Sequence, residues 1–443
     1  MVFISYIYMI GLVVLLTFFL TSIWPTFGLI AFMTISISKD LFAHYIPFLH
    51  GFVGYFYDVG FALAALIGVL IIIRRTHTEN RKLVPSYVLF SMIFLAIWVW
   101  LRLPASREFH YGMSKALIFS IFDMLSIILG ILFCRTNNEA KIVINSIIIV
   151  GIGVIVGLIL FGRPDEAEET RITLGYTNVL NPADFAVYII ITPVCLWFSR
   201  KKAIFTKLTI LIVPLALVSI ILTGSRGPLV AIPIIILILC FIYRKTLKLK
   251  MPIYMLLLFC TLIIIFFAGY KASIQSRMSE RAIKRGIDLR LILINTSIKG
   301  WLNSPIIGCG TGDFPVQIDP ILPGYKYPHN LILEIANEFG IVGLIPFLFL
   351  LFGAFRAMKY FPIAFEHDED SKHLFAPIFA CFFYHFLMSF KTDSYAGSQM
   401  FYFFLGAVIS YTELIKQKYL VSKQLEISNS STERIKYDEE IHV

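Results

Sequence analysis

The 443-residue chain is 58% hydrophobic and 15% aromatic, with a mean hydropathy of +0.81, and its apolar stretches repeatedly reach the ~20 residues needed to cross a bilayer. This composition excludes an ordinary water-soluble enzyme and predicts an all-α, polytopic integral membrane protein. The net charge of +10 does not indicate a nucleic-acid partner, because Lys and Arg collect in short connections between apolar stretches, where basic residues set orientation.

In chain order, hydropathy predicts spans near 2–22, 54–73, 83–101, 113–134, 141–161, 179–198, 205–222, 228–243, 252–270, 330–356, 374–390 and 399–416, about twelve in all. The apolar N-terminus has no basic leader region and no clear small-residue cleavage site, so it reads as an uncleaved first span. The segment 24–38 opens with Trp24-Pro25 and is short; it is either re-entrant or a thirteenth span, and its status decides where the N-terminus lies.

Basic residues occupy alternate connections: Arg74, Arg75, Arg81 and Lys82; Arg135 and Lys141; Arg200, Lys201, Lys202 and Lys207; Arg244, Lys245, Lys248 and Lys250; Arg356, Lys359 and Lys372. That side, and with it the C-terminus, is assigned to the cytoplasm. The opposite side receives the acidic loop around Asp165, Glu166, Glu168 and Glu169, the turn Thr223-Gly224-Ser225-Arg226-Gly227, and a large loop over about 271–328. Residues 1–419 then form one membrane domain, and 420–443 a polar cytoplasmic tail expected to be disordered at its end.

The large loop is too long to be a simple connector. It contains a helix-compatible amphipathic stretch from Ser276 to Leu302, followed by a Gly/Pro-rich section in which Gly308-Cys309-Gly310-Thr311-Gly312 reads as a tight turn rather than a phosphate loop. Five of the six cysteines, Cys134, Cys195, Cys240, Cys260 and Cys381, lie in or beside apolar spans. Only Cys309 stands in the loop, so neither a disulfide framework nor a metal cluster follows.

Arg226, in a turn between two spans, suits an anionic ligand: flanking glycines allow close backbone approach, and the guanidinium fork matches phosphate oxygens. An interfacial arginine that snorkels to water is the competing explanation. Arg277, Arg281, Lys284, Arg285 and Arg290 place a basic face on the loop helix, suited either to a diphosphate or to anionic lipid; Arg290 is the most site-like of them. His329 precedes an apolar helix containing Glu334 and Glu338, and its imidazole is suited to accepting a proton near neutral pH, or simply to packing at an interface. Tyr176, Asn178, Asn181 and Asp184 are candidates for sugar contacts, or ordinary interface polarity.

The stretch His329-Asn330-Leu331-Ile332-Leu333-Glu334, continuing through Glu338-Phe339-Gly340-Ile341-Val342-Gly343, resembles the His-Asn…Leu-Glu…Glu-x-Gly-x-x-Gly segment of the O-antigen ligase and O-antigen polymerase superfamily. Arg290 through Ser304-Pro305-Ile306-Ile307-Gly308-Cys309-Gly310 is similar to that family's Arg…Ser-Pro-x-x-Gly-x-Gly segment, and Thr223 to Pro228 to its Ser-Arg-Gly turn. The matched motifs cover roughly 220–345; the N-terminal half agrees only in hydropathy.

The resemblance implies a C-class, inverting glycosyltransferase that needs no cofactor or metal, sits in the bacterial inner membrane, and works on its periplasmic or exterior face. The implied donor is an oligosaccharide on undecaprenyl diphosphate, the acceptor a glycan or lipid A core, and the surroundings the lipid bilayer, with a chain-length regulator as a further partner. Arg226 and Arg290 would bind the diphosphate and stabilise its departing charge, with Arg285, Asn330 and Glu334 as further substrate contacts. His329 would handle the acceptor hydroxyl.

The Ser-Pro-x-x-Gly-x-Gly segment and the Glu-rich helix favour a polysaccharide polymerase joining repeat units over an O-antigen ligase. A lipid-linked glycan flippase is the rival from another class, although one concentrated external site without repeated halves argues against it. A scaffold for envelope assembly, which would leave the arginines and His329 dispensable, is the third.

Overall fold

In the computed structural model the described residues are 25–34, 84–164, 171–174, 180–198, 204–242, 280–360, 363 and 369–441. Their helices are α1 (Pro25–Met33), α2 (Ser86–Leu101), α3 (Phe109–Leu117), α4 (Met124–Leu132), α5 (Asn137–Phe161), α6 (Leu180–Phe198), α7 (Ile204–Leu222), α8 (Arg226–Ile242), α9 (Glu280–Asn303), α10 (Phe314–Ile318), α11 (Leu331–Phe355), α12 (Glu369–Ser389) and α13 (Gln399–Ile441). A π-helical segment, Ile118–Asp123, joins α3 to α4. A two-stranded antiparallel ribbon, β1 (Arg163–Pro164) and β2 (Ile172–Thr173), pairs Arg163 with Thr173.

Four of these apolar stretches, Ser86–Ala105, Phe109–Leu132, Asn137–Phe161 and Leu331–Tyr360, are long and apolar enough to cross a membrane. Leu89, Phe90, Ile93, Ile97 and Leu101 of α2 stay exposed, an arrangement that costs nothing against lipid and much in water. The expected spans 2–22, 54–73 and 252–270 lie outside the described residues. Of the segment 24–38, the described part is α1, Pro25–Met33, which ends in a turn at Thr34. The polar tail continues α13 to Ile441, over a sequence with no proline and no glycine after Gly406; residues 442–443, at the end expected to be disordered, lie outside the described residues.

The core of the bundle is α13 against α4. Gly130 and Gly406 let these two backbones approach: a Cβ on Gly130 would collide with the Phe403 carbonyl, and one on Gly406 with the Ile127 carbonyl.

Hydrogen bonds sort the connections to two ends. At one end Tyr411 and Ser371 both donate to Asn137 Oδ1 (2.8 and 3.4 Å), Arg356 reaches Glu413 at 3.1 Å, and Arg135 pairs with Glu139 at 2.7 Å. Lys359 and Lys416 also lie near this end. At the other, Arg102 donates to the Gly308 carbonyl at 2.8 Å, Arg107 pairs with Asp313 at 2.6 Å, and Tyr111 donates to the Lys326 carbonyl at 3.2 Å.

The loop segment 304–313 is locked into a break in α11. Gly340 has φ 62 and ψ −162, which interrupts the helical ladder and frees groups on both sides. The orphaned carbonyls of Asn337 and Glu338 accept from Cys309 N and Gly310 N at 2.9 and 3.1 Å, and that of Phe339 from Trp98 Nε1 at 3.3 Å. The freed amides of Ile341 and Val342 donate to Pro305 O and Ile306 O at 2.9 and 3.1 Å. The loop thus supplies the hydrogen bonds that the helix gave up. It also fixes α9, where the Ser297 hydroxyl donates to Leu333 O at 3.0 Å and Leu293 packs with Phe314 and Ile318.

Candidate functional site

Two adjoining cavities open where α6, α8, α11, α12 and α13 present their ends. The larger, about 760 Å³, is lined by Arg171, Arg226, Arg290, His329 and Lys391, brought together from separate parts of the chain. The ribbon delivers Arg171 immediately before β2. Arg226 is the first residue of α8, where unpaired helix N–H groups also favour an anion. The preceding turn is tight, with Gly224 N donating to Ile221 O at 2.9 Å and the Thr223 hydroxyl to Ile220 O at 2.7 Å.

Lys391 follows the end of α12 and packs over Gly227, where an added Cβ would come within 2.6 Å of its Nζ. Burial, followed by the charges of Arg290, Arg226 and Arg171, pushes the Lys391 amine down to about 8; only Asp184 acts in the opposite direction. The Arg290 guanidinium is likewise lowered, by desolvation first and by Arg226 second. A wall of mutually repelling cations is stabilised by a polyanion placed among them.

His329 occupies the left-handed region at φ 54, a conformation that costs ~1–3 kcal/mol for a residue with a side chain. Its ring meets Tyr327 edge-on at 4.4 Å, and Nδ1–H donates to the Thr392 carbonyl at 3.4 Å. A carbonyl can only accept, so this bond protonates Nδ1 and leaves Nε2 as the basic nitrogen. Burial lowers the imidazole pKa, which keeps the ring neutral near pH 7.

Arg226, Arg290 and His329, the residues singled out in the sequence, therefore line one cavity. Arg285 lies in α9 five residues before Arg290, and its side chain lies outside the described residues. Asn330 and Glu334, expected as substrate contacts, do not line it. Asn330 is the N-cap of α11, its side chain accepting from Leu333 N at 3.0 Å. Glu334 is fully buried and its acceptors are occupied: Oε1 by Lys115 at 2.6 Å and Ser394 at 2.9 Å, Oε2 by Tyr395 N at 3.0 Å. Helical spacing puts Glu334 and Glu338 on the same face of α11, and that face meets Lys115 of α3 rather than the cavity.

Sequence reasoning missed Lys391 and Arg171. The available signal was the run Lys391-Thr392-Asp393, three polar residues between two apolar stretches.

Residues 210–348 match the family model described as O-antigen ligase, a stretch that includes Arg226, Arg290, the 304–313 loop, His329 and the Gly340 break. The match supports the resemblance to the O-antigen ligase and polymerase superfamily, and a membrane enzyme of that type. No curated protein matches the chain.

Proposed function

We propose that a chain with an O-antigen ligase-like centre and this cationic cavity is an inverting membrane glycosyltransferase, taking its glycan from a polyprenyl diphosphate such as undecaprenyl diphosphate. The observation that carries the reading is the convergence of Arg171, Arg226, Arg290 and Lys391 on one cavity that also holds His329.

In the reaction the bond between the sugar C1 and the diphosphate oxygen breaks, and its electron pair stays on the diphosphate. Arg226 and Arg290 stabilise the charge developing there, as oriented donors rather than as diffuse attraction. The acceptor hydroxyl oxygen attacks C1 from the opposite face, inverting it, and its proton passes to His329 Nε2. The neutral imidazole is already in the basic form this step needs.

The polymerase reading is retained as the main one, with transfer to lipid A core as the second, which the family description of ligase favours. The test is to incubate the purified protein in nanodiscs with lipid-linked repeat units, with and without lipid A core, and to separate the products by gel. A ladder of repeats without core identifies a polymerase; product formed only on core identifies a ligase. No transfer in either case, with donor binding absent as well, would overturn the reading.

A further inference from the structure

The second cavity, about 250 Å³, shares Leu180, Tyr327, Met388 and Thr392 with the first but is otherwise lined by different polar groups. Its polar lining includes Asn181, Asp184, Asp393, Ser394, Ser398 and Gln399, and neither Lys nor Arg contributes to it. The Asp184 carboxylate is engaged by the Tyr384 hydroxyl, and Asp393 Oδ1 accepts from Thr392 Oγ1 at 3.1 Å. Asp393 Oδ2 is buried without a hydrogen-bond partner, an unfavourable arrangement unless a ligand supplies a donor. Among the described residues no group of three His, Cys, Asp or Glu side chains converges to hold a metal ion.

We propose that this second cavity binds the terminal, uncharged sugar of the acceptor, with Asp393 accepting its hydroxyls. The inference rests on the glycosyl-transfer reading above and assigns to it the acceptor's place and chemical class.

Three features support the assignment. The second cavity has no Lys or Arg in its lining to hold a diphosphate, so the donor's head is favoured on the cationic side. The volume lies below the ~300–1,000 Å³ typical of drug-sized ligands, which suits about one sugar ring. Thr392 and Tyr327 line both cavities, and both hold the His329 ring, which sets the base between the two substrates. Burial also raises the Asp393 carboxyl to about 7, so it exchanges hydrogen bonds with a hydroxyl as donor or acceptor.

The experiment uses two probes on the full chain in nanodiscs: inorganic pyrophosphate for the cationic cavity, and the free repeat-unit oligosaccharide released by mild acid from the cell's own lipid-linked glycan. The expected result is that the oligosaccharide binds in the presence of saturating pyrophosphate and of EDTA. Asp393→Ala should weaken oligosaccharide binding at least tenfold and leave pyrophosphate binding within twofold, while Arg226→Ala does the reverse. If Asp393→Ala does not fold, Gln399→Ala at the same wall is expected to show the same one-sided loss. Competition between the two probes, loss of oligosaccharide binding in EDTA, or full oligosaccharide affinity in the folded variant would overturn the acceptor assignment. Unchanged pyrophosphate affinity in Arg226→Ala would instead sink the donor reading.

Discussion

His329 combines three constraints in one residue: a strained backbone, an edge-on tyrosine, and an Nδ1 bond that frees Nε2. If it takes the acceptor proton, His329→Ala should lower glycan transfer by ~10²–10⁴ while pyrophosphate affinity stays within twofold. A variant that retained most of the wild-type rate would return His329 to a packing role. Because burial lowers its pKa, the base form persists below the ordinary range of histidine, and the acidic limb of the rate profile should fall below pH 6.5. Lys391 predicts the opposite limb. With its amine near 8, rising pH removes a positive charge from the anion site, so pyrophosphate binding should weaken by up to about tenfold per pH unit above 8. Lys391→Arg keeps the charge and should flatten that dependence, measured by titration calorimetry between pH 7 and 9. Arg226→Lys, by contrast, keeps charge but loses the paired fork, and should still bind pyrophosphate poorly.

The broken helix α11 and the loop plugged into it behave as one unit. Gly340 at φ 62 faces the Ile306 carbonyl so closely that any side chain must displace the loop. Gly340→Ala combines ~1–3 kcal/mol of backbone strain with ~1–3 kcal/mol of overpacking, and should lower the melting temperature of the solubilised protein clearly. An unchanged melting curve would mean that the break is dispensable. Beneath it, Lys115 bridges Glu334 and Glu338 at 2.6 and 2.7 Å, and Glu338 also accepts from Gly312 N at 2.6 Å and the Tyr395 hydroxyl at 2.8 Å. Lys115→Met leaves two buried carboxylates without their cation and should destabilise by ~3–5 kcal/mol, read from the same melting curves. These contacts join α3, the large loop, α11 and the α12–α13 connection around the buried Glu334 and Glu338 carboxylates.

Among the described residues, the two ends differ in what they gather. Arg135, Arg356, Lys359 and Lys416 mark one, while the other holds both cavities and the large loop. The basic bias predicts that the cavity end faces away from the cytoplasm. A cysteine placed at exposed Ile321 should therefore react with an impermeant reagent in intact cells, whereas one at Lys359 should react only after the cytoplasmic side is opened. The reverse pattern would invert the site's orientation and remove its access to an external acceptor.

Composition and hydropathy sufficed for an all-α membrane protein, because a bilayer demands long apolar runs whatever their partners. The turn at Arg226, the loop helix with Arg290, and His329 beside an α-helix start were also legible, since each is marked by local residues: glycine, basic periodicity, and a polar pair before an apolar run. What the sequence could not contain was who faces whom. Glu334 and Asn330 look like site residues along the chain, yet the rotation of α11 turns one toward Lys115 and makes the other a cap. Lys391, 101 residues after Arg290 in the chain, joins the same cavity only because α12 returns beside α8. A cavity is a property of several elements at once, and its charge is the sum of residues that no local pattern connects.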